Sequence, residues 1–81
     1  MNYVIIDERG QFFTGRYSEA ATAGPPPARW TEEYPSAKSY EKLAQAVVAA
    51  DQVGKWNGTA TKVVEGYGFD NERVVYEGKG R

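Results

Sequence analysis

Tyr3-Val4-Ile5-Ile6-Asp7-Glu8-Arg9-Gly10-Gln11-Phe12-Phe13-Thr14-Gly15-Arg16-Tyr17 reads as two strands joined by a tight turn. β-Branched and aromatic residues dominate both arms and suit a pleated, half-buried surface. Between the arms, Asp7-Glu8-Arg9-Gly10 supplies turn chemistry, and Gly10 can take the positive φ that a tight hairpin requires. Alternation sets Tyr3, Ile5 and Asp7 on one face and Val4 and Ile6 on the other. The second arm divides Phe12 and Thr14 from Phe13 and Gly15. Apolar residues occupy both faces, so the pattern leaves open which face meets a helix.

Working outward, residues 18–28 form a Pro/Ala/Gly-rich loop. Gly24-Pro25-Pro26-Pro27 lacks ladder donors and favours an extended polyproline path. Trp30-Thr31 fits a short third strand. Tyr34-Pro35-Ser36 then stops it and starts a helix, with Ser36 as the N-cap. From Ala37 to Gln52, Ala37, Tyr40, Ala44, Val47 and Val48 fall at helical spacing, broadened by Leu43, Ala46 and Ala50. Gly54 is the expected stop. Thr59 to Glu65 is a threonine- and valine-rich strand, Gly66 to Asn71 a turn, and Arg73-Val74-Val75-Tyr76-Glu77 a final strand. The tail, residues 78–81, is predicted to fray. The expected fold is α+β, a single small domain spanning residues 1–81. An N-terminal β-hairpin and one alanine-rich helix on a four- to five-stranded antiparallel sheet give the order β-β-(β)-α-β-β.

Composition narrows the function classes. The 81 residues contain no histidine and no cysteine, yet 14% are aromatic. Histidine titrates near neutral pH and cysteine is the strongest nucleophile there, so the usual equipment for catalysis and transition-metal binding is missing. Ten Lys+Arg against eleven Asp+Glu leave a net charge of −1, which argues against a general electrostatic grip on nucleic acid. No apolar run is long enough to span a bilayer, and the start lacks the basic flank of a signal peptide. A cytoplasmic protein without a cofactor is expected.

Local motifs read as structure. Ser36-Ala37-Lys38-Ser39 is explained by capping rather than by a Ser–Lys nucleophile. Asp7-Glu8 borders a turn and Glu32-Glu33 precedes a helix, where negative charge suits the macrodipole. Asp70-Asn71-Glu72 lacks the calcium-loop pattern. Gly66-Tyr67-Gly68-Phe69-Asp70 has neither the lysine nor the following helix of a phosphate loop. Asn57-Gly58-Thr59 matches a glycosylation sequon but reads as a turn.

The aromatics remain. Tyr17, Trp30, Tyr34, Trp56, Tyr67 and Phe69 lie at element ends and turns, where large rings either cap core margins or anchor a partner. The candidate partner-binding residues are Arg16, Tyr17, Trp30, Glu32, Glu33 and Tyr34, joined by Trp56 and Tyr67. Three readings follow: a non-enzymatic protein-binding module, a small RNA- or DNA-binding protein stacking bases on Phe13, Tyr17 or Tyr67, and a homodimer burying a sheet edge. Nucleic acid is the weaker partner class on charge.

The layout Tyr3-Val4-Ile5-Ile6, Gly10-Gln11-Phe12-Phe13, Trp30-Thr31 and Ser36-Ala37-Lys38-Ser39-Tyr40 with Ala44 beyond resembles small accessory proteins of phages and prophages. Some phage proteins of this size inhibit host defence, anti-CRISPR proteins among them. The resemblance covers roughly the first fifty residues, is one of texture, and transfers no specific functional residues. It implies a stoichiometric inhibitor of a bacterial defence complex such as CRISPR–Cas, acting by surface occlusion in the host cytoplasm. Glu32 and Glu33 would then mimic nucleic-acid phosphates. The proline loop, residues 18–28, is not part of the resemblance.

Overall fold

The computed structural model describes residues 2–18 and 27–79; residues 19–26 of the proline loop and the tail beyond Lys79 lie outside them. Strands β1 (Tyr3–Asp7), β2 (Phe12–Tyr17) and β3 (Ala28–Thr31) precede a 3-10 turn at Tyr34–Ser36. Helix α1 (Leu43–Asn57), β4 (Thr61–Glu65) and β5 (Arg73–Gly78) follow. The expected α+β fold is present. One helix packs on a five-stranded sheet of order β3-β2-β1-β4-β5, with every neighbouring pair antiparallel.

The two apolar faces of the hairpin serve two different layers. Ile5, Phe13 and Val63 are buried under α1 with Ala46, Ala50 and Val53. Val4, Phe12 and Val64 form a smaller cluster on the opposite face, beneath Tyr34, Ala37 and Tyr67. At the turn, the Asp7 carboxylate accepts the backbone N–H groups of Arg9 and Gln11, each at 2.9 Å. Glu8 accepts the Ala60 N–H at 2.9 Å, so both acids of this pair satisfy backbone donors. The strands register at Ile6 opposite Phe12, and chain segment 38–40 then sits between them. Lys38 N–H donates to the Phe13 carbonyl on β2, while Tyr40 and Tyr3 exchange both backbone bonds on β1.

That insertion corrects the helix boundaries. Lys38 and Tyr40 commit backbone groups to the strands, which holds this segment out of the helix; tertiary pairing overrides local propensity here. The helix starts at Leu43, with Lys42 at the N-cap position and no side-chain cap, and Ser36 belongs to the 3-10 turn. Its buried stripe is Ala46, Ala50, Val53 and Gly54, whereas Ala44 and Val48 face solvent. Gly54 is inside the helix, and Gly58, at φ 62°, makes the left-handed stop.

The far end of the sheet is pinned by polar contacts. Thr61 Oγ1 donates to the Ala50 carbonyl at 3.3 Å, and the Tyr76 hydroxyl donates to Asp51 at 2.6 Å. Gly78 is part of β5 and buried, a correction to the frayed tail expected from residue 78 onward.

Candidate functional site

Eight residues were expected to form one partner-binding surface; the sheet sets Tyr17, Trp30 and Trp56 on the helix side and Tyr34 and Tyr67 on the other. On the helix side, Phe13 is the hub. Trp30 lies 5.7 Å from its ring and Tyr17 5.5 Å, and Tyr17 in turn meets Trp56 at 5.6 Å. Phe13 is buried, Tyr17 and Trp30 are half-buried, and Trp56 is 41% exposed. Asn57 fixes this margin: its side-chain oxygen accepts the Ala28 N–H at 2.9 Å, and its amide donates to the Val53 carbonyl at 3.0 Å. The last helical turn is thereby tied to the edge strand β3.

Beside Trp30 opens a cleft of about 280 Å³, lined also by Asp7, Glu8, Arg9, Gln11, Asn57, Gly58 and Thr59. The hairpin turn forms one wall and the helix stop the other. Sequence reading missed this cleft because its walls come from two turns about fifty residues apart. The Asn57-Gly58 turn signal was visible, but its position against Trp30 was not.

On the opposite face, Tyr34 and Tyr67 close over Phe12, with ring centroids 5.8 and 4.8 Å from it and 4.7 Å from each other. These two rings chiefly shield the smaller core cluster. Phe69, in the same turn as Tyr67, instead projects into solvent. Glu32 and Glu33 are exposed just after β3, and the Glu33 N–H donates to Thr31 Oγ1 at 3.1 Å. Arg16 is exposed at the other end of the β2–β3 pair, because Tyr17 registers with Ala28 and Phe12 with Thr31. The acidic pair and Arg16 are therefore not neighbours.

Burial pushes the Tyr17 phenol above its usual range, and burial followed by Tyr17 itself does the same to Tyr40. Both rings stay neutral at physiological pH. A carboxylate that sequence reading passed over, Glu65, is buried between strands with Arg73 3.4 Å away. Among the described residues, no three Asp or Glu side chains converge as a metal site would need, and no helix is long and apolar enough to cross a membrane. Compared with known protein families, curated proteins and solved structures, the chain matches none.

Proposed function

We propose that this chain is a non-enzymatic protein-binding module whose contact surface is the margin formed by Tyr17, Trp30 and Trp56 with the adjoining cleft. The observation that carries the reading is the pairing of partly exposed rings on pinned elements with an open polar cleft. Trp and Tyr anchor interfaces because each buries a large area at low entropic cost while keeping a polar handle. The bond from Asn57 to β3 holds the rings in place before binding, which lowers the ordering cost of association. Acidic, basic and amide groups line the cleft and suit a polar side chain of the partner.

The narrower reading, an inhibitor of a bacterial defence complex such as CRISPR–Cas, draws on the resemblance to phage accessory proteins. The exposed Glu32-Glu33 pair supports it as a stand-in for phosphates on a basic groove. Nucleic-acid binding through stacked bases is less well supported, since Phe13 lies under Trp30 and Tyr17 and offers no free face. Affinity capture from a bacterial lysate, read by mass spectrometry, tests the proposal. A protein retained by the native chain and lost with folded Trp30→Ala supports it. Retention unchanged by that substitution, or a gel shift with random RNA at low salt, overturns it.

A further inference from the structure

The Asn57-Gly58-Thr59 turn holds a reactive pair that the fold keeps locked. Of the three asparagines, Asn2, Asn57 and Asn71, only Asn57 precedes a glycine. Glycine has no Cβ, so its backbone nitrogen is free to approach the preceding side chain. Three hydrogen bonds hold the two apart in the folded chain. Asn57 Oδ1 accepts the Ala28 N–H at 2.9 Å, Asn57 Nδ2 donates to the Val53 carbonyl at 3.0 Å, and the Gly58 N–H donates to the Gly54 carbonyl. All three lie at the last turn of α1, and helix ends open locally at less cost than a core does. Once the turn opens, nothing crowds the pair. Gly58 is exposed, with no atom beyond its chain neighbours within 4 Å of where a Cβ would stand, and the cleft beside Asn57 admits water.

We propose that Asn57 is a self-modification site, gated by opening of the end of α1, whose product no longer ties the helix to β3. The Gly58 nitrogen attacks Asn57 Cγ, its proton passes to solvent, and the side-chain amide nitrogen leaves as ammonia. A cyclic imide remains, joining Asn57 Cγ to the Gly58 nitrogen. Water then adds to either ring carbonyl. Breaking the bond to Cγ gives aspartate; breaking the bond to the main-chain carbonyl carbon reroutes the backbone through the side chain as isoaspartate. Water is the only co-reactant. Either product is a carboxylate, which has no hydrogen to donate to the Val53 carbonyl. It also puts negative charge at the C-terminal end of α1, where the macrodipole opposes it. Asp7 and Glu8 line the same cleft and add to the repulsion, against Arg9 in the cleft and Lys55 in the last turn. The step needs no partner and stands apart from the binding reading above.

The native full chain, folded and in guanidinium chloride, is held in mildly alkaline buffer and sampled over time. Peptide mapping by mass spectrometry separates asparagine, aspartate and isoaspartate. In denaturant, Asn57 is expected to convert ahead of Asn2 and Asn71, and Gly58→Ala to slow it. The folded chain is expected to convert Asn57 about tenfold more slowly, since only opened molecules react. Ala28→Pro, with unchanged circular dichroism, removes one of the three bonds and narrows that gap. Asn57→Asp, a direct copy of one product, lowers the unfolding midpoint. Asn2 or Asn71 converting first in denaturant, equal rates in the two states, or a folded chain without product once the unfolded one is fully converted overturns the proposal. So does an Asn57→Asp chain as stable as the native one, or a folded Ala28→Pro chain that converts at the native rate. The comparison on the native chain decides the matter even where Ala28→Pro fails to fold.

Discussion

Gly78 shows how a single hydrogen can matter. A Cβ there would sit 2.7 Å from Thr61 Oγ1 and 3.2 Å from Asp51 Oδ1, two atoms that join α1 to the sheet. Gly78→Ala is expected to lower stability by about 1–3 kcal/mol in urea unfolding, through overpacking. Nothing in Gly78-Lys79-Gly80-Arg81 as a string of letters signals this, because the crowding comes from residues 17 and 27 positions earlier. Ile5 and Ile6 teach the same lesson. One is fully buried under the helix and its neighbour is half-buried on the other face, yet both are equally apolar in sequence. Tyrosines give a pH signature. Tyr3 is raised by burial and then by Glu65, Tyr17 by burial, Tyr40 by burial and Tyr17, and Tyr76 chiefly by its hydrogen bond to Asp51. Their folded values lie above the ordinary 10.0, so the stability they contribute is fully present below that pH. It is lost as pH rises through the higher folded values. Phenolate absorbance should show these four ionising later in the folded chain than in the urea-unfolded one, with their contribution to stability falling in that alkaline window.

At the scale of elements, strands were legible and the helix register was not. The β-branched and aromatic runs marked four strands and left the third, at Trp30-Thr31, as an option that β3 fills, and Asp7 to Gly10 marked the hairpin turn. The start of α1 was misplaced because Ala37 and Tyr40 continue the helical spacing by chance, while their segment is held by β1 and β2. Ser36 caps no helix, so Ser36→Ala should change stability by no more than about 0.5 kcal/mol. Asn57→Ala should behave differently. It strips the Ala28 N–H of its acceptor and unties the helix end, and a loss of about 1–3 kcal/mol is expected. Comparing the two variants by thermal unfolding checks whether the α1–β3 tie, rather than a serine cap, stabilises this part of the molecule.

The whole molecule presents one sheet with different business on each side. The helix covers β1, β4 and β5, leaving the aromatic margin of Tyr17, Trp30 and Trp56 at the helix end. Across the sheet, Tyr34 and Tyr67 roof the second cluster. The candidate rings could be picked out of the sequence by type and by their place at element ends. Their partition could not, since it depends on strand phase and on the wedge at residues 38–40. The central claim, recognition through the Trp30–Trp56 margin, is tested most directly by titration calorimetry of the captured partner against four folded variants. Trp30→Ala and Trp56→Ala should each weaken binding by at least about thirtyfold, the scale of an interface hot spot. Tyr34→Ala and Tyr67→Ala should leave it within about threefold of the native chain, as expected of residues outside the contact. The reverse order, with the tryptophan variants binding normally and the tyrosine variants failing, contradicts the account.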